Sequence, residues 1–206
     1  MACSNERGDT VKNALQEAFG RYGLPWERLM DNGSPWGRGG DSPDTALRVW
    51  LMRLGIVVCH GRRAHPQTQG KEDRFHATLK AELLGEGRPW SLEQCQRRFD
   101  EWRYICNTQR PHEALGLDTP VSPCQISTRG TPESLPPVEY GPKDEVGAVH
   151  ARGRLSYRSQ EDWVSQAFCG QPVALRPHPQ KEGVMEVYFC RQRIAHIDLT
   201  KNTETN

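Results

Sequence analysis

Residues 27–35 read Glu27-Arg28-Leu29-Met30-Asp31-Asn32-Gly33-Ser34-Pro35, a short run that stops at a cluster of chain breakers. The run predicts a strand over Glu27–Met30, and the cluster after it predicts the turn that ends the strand. Asp31 therefore stands at the carboxyl end of a strand, the edge where open α/β sheets build their sites. By itself an Asp before Asn-Gly is most often a turn former, so Asp31 needs a second acid before it means more. Downstream, Asp41-Ser42-Pro43-Asp44 suits a helix start with Pro43 at the first position. Leu47, Trp50, Leu51 and Leu54 then recur at threes and fours, which predicts one buried face, and Gly55 closes the helix. Ile56-Val57-Val58-Cys59 is a β-branched run of the kind found in parallel strands covered on both faces. Strand, helix, strand is one right-handed crossover unit, and the class is α/β.

On the amino-terminal side, Asp9-Thr10 can cap a helix from Val11 to about Phe19, with Ala14, Ala18 and Phe19 as its stripe and Gly20 as its end. On the other side, His65-Pro66-Gln67-Thr68-Gln69-Gly70 is a loop, and a helix follows to about Leu84. Ser91 with Gln94 three residues on matches a capping box. It opens a helix whose Leu92, Cys95, Phe99, Trp102 and Cys106 predict a clean buried stripe. Pro111 opens one more short helix, ended by Gly116. Residues 126–150 gather Pro132, Pro136, Pro137 and Pro142 with Gly130, Gly141 and Gly147, and read as a linker. Beyond it the pattern is β, with Pro172–Arg176 as one strand. A hairpin turns at Arg191-Gln192, with Met185, Val187 and Phe189 alternating on one arm and Ala195, Ile197 and Leu199 on the other. Three segments result: 1–125, the linker 126–150, and a small mostly antiparallel β domain over 151–206.

The whole-chain totals mainly exclude. With 206 residues, 35% hydrophobic content and a mean hydropathy of −0.76, the chain supports a medium and a small domain with a modest core. It holds no apolar run long enough to span a membrane and no secretory leader, which points to a cytosolic protein without a membrane partner. Seven cysteines without a C-x-x-C pair read as reduced thiols and argue against zinc. The formal net charge of +1 names no partner. Locally, Arg62, Arg63, Lys71, Arg74 and Lys80, with His60, His65 and His76, surround only Glu72 and Asp73. Such a run is usually a solvated face, but it also suits a phosphate backbone.

Helix phase separates the two acids. If Phe75, Leu79 and Leu83 are the buried stripe, Glu72 lies within about 20° of its centre and Asp73 about 120° away. Asp73 then shares a side with Lys80, His76 and Gln69 and is the acid able to face a cleft. Glu72, in the first turn, suits the helix dipole. Carboxylates from two elements can hold one Mg²⁺, which prefers oxygen ligands, and a third would fix a second ion for phosphodiester chemistry.

Four segments resemble bacterial insertion-sequence transposases of the retroviral-integrase-like DDE superfamily. Leu29-Met30-Asp31-Asn32-Gly33-Ser34-Pro35-Trp36 resembles the block of the second acid. His65 through His76, with Lys71-Glu72-Asp73-Arg74 at its centre, resembles that of the third. Asn107-Thr108-Gln109-Arg110-Pro111-His112-Glu113-Ala114-Leu115-Gly116, with Thr119-Pro120, resembles the close of such cores, and Val187-Tyr188-Phe189-Cys190 a C-terminal small barrel. The resemblance implies a ribonuclease H-like core followed by a barrel-like β domain. It implies Mg²⁺ or Mn²⁺ as cofactor, and strand transfer between insertion-sequence ends and target duplex DNA in the nucleoid, by an oligomer or beside an intact transposase. By position, Asp31 becomes the second acid and Asp73 the third, both as catalytic metal ligands, with Glu72 as the alternate. Lys71, Arg74, Lys80, Arg62 and Arg63 become DNA contacts.

Two departures shape the expectations. The family usually carries Glu where this chain has Asp73, one methylene shorter. The stretch matching the first acid would precede Met1, so the core is expected to be incomplete and the chain inactive in strand transfer. It would then be a truncated transposase or a non-catalytic DNA-binding module that pairs with an intact one. A two-stranded remnant is also expected to be too narrow to bury the helices carrying Leu47, Trp50, Leu51, Phe99 and Trp102.

Overall fold

The computed structural model describes residues 2–31, 33–37, 44–61, 70–84, 87 and 91–200. In chain order its elements are α1 (Gly8–Tyr22), β1 (Glu27–Met30), α2 (Ala46–Arg53), β2 (Val57–His60), α3 (Gly70–Leu84) and α4 (Leu92–Thr108). Six further strands follow: β3 (Glu145–Ala148), β4 (Arg154–Tyr157), β5 (Gln160–Trp163), β6 (Pro172–Pro177), β7 (Val184–Phe189) and β8 (Gln192–Asp198). The elements gather into two compact units, Met1–Gly23 with Gly61–Thr128, and Leu24–His60 with Arg129–Asn206.

In the first unit α1 runs further at both ends than its sequence suggests. Arg7 occupies the cap position, Asp9 sits inside the first turn, and Gly20 is helical. The helix ends at Gly23, at φ +74°, where a Cβ would stand 2.4 Å from the Ser127 carbonyl oxygen; only glycine tolerates that conformation and approach. Ser91 caps α4 by accepting from the Gln94 backbone N–H at 3.2 Å, as its spacing predicts. The stripe of α4 is less buried than expected: Cys106 is buried, Cys95, Phe99 and Trp102 are half-buried, and Leu92 is exposed. The helix after Pro111 is a single 3₁₀ turn, Glu113–Leu115, ended by a left-handed Gly116.

In the second unit β1 and β2 pair in parallel, from Glu27 opposite Val57 to Met30 opposite His60. The antiparallel sheet runs in the order β3, β6, β7, β8, and β4 and β5 form a separate hairpin. The strand β3 falls inside the stretch that composition marks as linker. The hairpin turn is Cys190-Arg191, one residue earlier than expected. A bulge opposite Val187 and Tyr188 leaves Ile194 as the extra residue of β8. It shifts the buried face, so Ile194 and Ile197 enter the core and Ala195 does not. Phe168 and Phe189 meet edge to face at 5.1 Å in the middle of that core. The extended segment before β3 is tied down by Tyr140, whose hydroxyl lies 2.8 Å from the Pro172 carbonyl and accepts from the Cys190 N–H at 3.3 Å. Burial pushes that phenol up to about 12.

Three expectations about the crossover unit change. Thr45, not the Asp41–Pro43 stretch, caps α2, accepting from the Arg48 N–H at 3.2 Å; residues 41–43 lie outside the described set. Strand β2 is not covered on both faces, since Val57 is 38% exposed while Val58 is buried, and on β1 Leu29 is 52% exposed beside a buried Met30. And α2 is buried all round from Leu47 to Met52, including Leu47, Trp50 and Leu51, which a two-stranded sheet was expected to leave uncovered. The physical reason is a second partner: the 3₁₀ turn Gln166–Phe168 of the C-terminal region packs on α2. Phe99 and Trp102 belong to the other unit and stay half-buried.

Candidate functional site

Asp31 follows β1 directly. Its Oδ1 accepts from the Gly33 N–H at 3.0 Å, which is the turn-forming role of an Asp before Asn-Gly, and the side chain is exposed. Its backbone carbonyl accepts a hydrogen bond from His60 Nδ1 at 2.8 Å. A carbonyl can only accept, so His60 carries its proton on Nδ1. The sequence places His60 merely in a basic run; the register of β2 against β1 is what sets it beside Asp31.

Two residues that sequence reasoning missed hold this corner. Arg129 donates to the Pro25 carbonyl at 2.6 Å and to the Leu54 carbonyl at 2.8 Å, and its guanidinium lies 4.3 Å from the centre of the Trp26 ring. It thereby joins the start of β1 to the end of α2. The second is Gln192, on β8, which bonds the backbone of β2. Nothing local in the sequence marks either one, because their partners are backbone carbonyls and amides far away along the chain. Arg48 and Asp44 form an ion pair four residues apart, with both side chains buried.

The other acids lie in the first unit, on α3. Asp73 and Glu72 are both exposed in the first turn, and Glu72 sits 3.8 Å from His76. The face of α3 toward α4 carries Phe75, in edge contact with Trp102 at 5.4 Å, and Glu82. The Glu82 carboxylate accepts from Arg110 and from the Trp102 indole, each at 2.7 Å. The hydrogen bond from Arg110, and then that from Trp102, holds the Glu82 carboxyl below its ordinary value. Arg110 belongs to the Arg-Pro-His block, so that block fastens the helix bearing Asp73. Arg74 and Lys80 are exposed on α3. The side chain of Lys71, and Arg62 and Arg63 entirely, fall outside the described set. Asp31 and Asp73 thus belong to different compact units. Among the described residues no three His, Cys, Asp or Glu side chains gather as a metal-holding group, and no helix is long and apolar enough to cross a membrane.

Two stretches of the chain match known families. Residues 54–120 match the family described as integrase core domain, and residues 144–205 match the C-terminal domain of the IS481 family transposases. The chain belongs to the integrase-like insertion-sequence transposases. Two relatives of this transposase chain are uncharacterized proteins of the insertion element IS136, from Agrobacterium fabrum strain C58 and Agrobacterium tumefaciens strain T37. Each is 28% identical over 114 residues, or 54% of this chain and 55% of the relative. The match thus spans about half the length of those relatives. Among solved structures, the simian T-cell lymphotropic virus intasome bound to the PP2A regulatory subunit B56 gamma is similar at 14% identity and a TM-score of 0.48. That similarity covers 95% of this chain and 66% of the viral one. The integrase core family is typically dependent on a divalent metal.

Proposed function

We propose that this transposase chain takes part in DNA strand transfer, with Asp31 and Asp73 as carboxylate ligands of a divalent ion and Glu72 as the alternate third acid. The observation that carries the reading is the parallel β1–β2 pair, which delivers the Asp31 carboxylate, exposed, at the carboxyl end of its strands. In this reading β1, α2, β2 and α3 belong to a ribonuclease H-like core within residues 1–125. A barrel-like C-terminal domain follows, and it takes in β3 (Glu145–Ala148) at the end of the 126–150 stretch.

The donors fit the ion. Both are hard oxygen ligands; Asp31 engages one oxygen with Gly33 and keeps the other for a ligand, and Asp73 is exposed. When bound, Mg²⁺ or Mn²⁺ would polarise a phosphate oxygen and favour attack by a hydroxyl on the phosphodiester. The chain's own residues do the rest. Gly33 and His60 fix the orientation of Asp31. Arg110 and Trp102 fix α3 through Glu82. Arg74 and Lys80, with Lys71, Arg62 and Arg63, meet the phosphates of duplex DNA. Insertion-sequence ends and target DNA are the substrates, and a second transposase subunit is the partner.

The exposed cations of α3 also favour a second reading, a non-catalytic module that binds duplex DNA beside an intact transposase. One assay separates the two. Metal-dependent joining of labelled duplex ends, abolished by Asp31→Asn, supports strand transfer. DNA binding that is indifferent to Mn²⁺, to Asp31→Asn and to Asp73→Asn, with no joining, supports the module.

A further inference from the structure

We propose that Gln192 is a positioning residue for Asp31, its side-chain amide acting as a surrogate strand on the outer edge of β2. The inference rests on the reading of Asp31 as a metal ligand. In a parallel pair successive peptide groups point to alternate sides. The Val57 N–H donates inward to the Trp26 carbonyl at 2.9 Å, on the β1 side. The Ile56 carbonyl and the Val58 N–H therefore face the opposite edge. There the Val58 N–H donates to Gln192 Oε1 at 3.1 Å and Gln192 Nε2 donates to the Ile56 carbonyl at 3.1 Å. One planar amide thus offers the acceptor and donor that a neighbouring strand would offer. The reverse orientation of the amide would oppose donor to donor, so the backbone itself fixes it.

The clamp comes from a rigid support. Gln192 opens β8 and pairs with Phe189, which is fully buried in the core of the antiparallel sheet. From Gln192 the line runs through Val58 to His60 two residues on, and from His60 Nδ1 to the Asp31 carbonyl at 2.8 Å. The stretch that matches the C-terminal transposase domain thereby holds an edge of the strand pair that presents Asp31. An unclamped β2 would leave both backbone groups to water and free the strand to fray.

The test is amide hydrogen exchange on the full chain, read at Val58 as a ratio to Val187, in wild type, Gln192→Met, Gln192→Ala and Gln192→Glu. Mn²⁺ titrations run beside it. Met keeps the length and loses the amide, so Val58 should exchange about tenfold faster, Val187 should hold, and Mn²⁺ affinity should fall several-fold. A glutamic acid donates and accepts when protonated but only accepts when ionised. An ionised glutamate still accepts from the Val58 N–H, so Val58 should stay protected in Gln192→Glu, whereas Gln192→Ala should deprotect it and keeps the test open if Gln192→Met fails to fold. Wild-type exchange at Val58 in Gln192→Met or Gln192→Ala, or exchange in Gln192→Glu as fast as in those variants, would overturn the clamp. A deprotected Val58 with unchanged Mn²⁺ affinity would overturn the positioning role. If Asp31→Asn itself leaves Mn²⁺ affinity unchanged, the metal-site reading fails instead, and the Val58 ratio still decides the clamp.

Discussion

The two compact units are held together by different chemistry. In the sheet unit Val173, Val187, Phe168 and Phe189 are fully buried, and α2 is enclosed on every side. In the helical unit α3 meets α4 through Phe75, itself half exposed, and through a polar knot of Glu82, Trp102 and Arg110. The difference shows where each kind of stability resides. A closed apolar core resists change through packed area, whereas a half-exposed helix pair depends on a few charged hydrogen bonds that pH and salt can reach.

The largest way to break this contrast is Phe189→Ala. Removing the ring that abuts Phe168 should cost about 3–5 kcal/mol. Exchange protection should be lost across β6, β7 and β8 while the amides of α4 keep theirs; equal losses in α4 would show that the two units share one core. Next comes Arg48→Ala, which leaves the buried Asp44 carboxylate without its guanidinium partner and should cost about 3 kcal/mol. Arg48→Met, which keeps the bulk, should not rescue the variant unless Asp44 is replaced as well. A double-mutant cycle in thermal unfolding measures the coupling.

Gly153→Ala should cost about 1–3 kcal/mol. Its φ is +77°, and a Cβ there would stand 2.4 Å from the Ser165 carbonyl carbon. A denaturant midpoint equal to wild type would mean the turn can relax.

The smallest effect is the sharpest probe of the helical unit. The Glu82 carboxyl is held below its ordinary value of 4.5, first by Arg110 and then by Trp102. A depressed carboxyl stabilises the fold above its unfolded value, and that contribution is lost as pH falls through the folded value. The amides of α3 should therefore loosen from just below pH 4.5 downward in wild type, and the dependence should flatten in Arg110→Met. An acid response identical in both would remove Arg110 from the account.

Legibility followed the range of the forces involved. Strand β1 is readable to the residue because Asp31-Asn32-Gly33-Ser34-Pro35 stops it locally. The Ser91 cap is readable for the same reason. Strand β3 hides in Glu145-Val146-Gly147-Ala148, too short and too Gly-rich to alternate visibly, and forms because β6 lies beside it. The burial of α2 on all sides comes from the turn at Gln166–Phe168, more than a hundred residues away in sequence. Asp31, Glu72 and Asp73 stand out as acids in motifs. Arg129 and Gln192 do not, since their work is done on backbone groups that only the fold brings within reach.

Whether Asp31 and Asp73 serve one metal site, as proposed, is decided by Mn²⁺ titration of the full chain followed by electron paramagnetic resonance. Wild type should bind the ion, Asp31→Asn and Asp73→Asn should each weaken that same binding, and the double variant should bind no more tightly than the weaker of the two. Wild-type affinity in both single variants would contradict the proposal, as would loss in Glu72→Gln with none in Asp73→Asn.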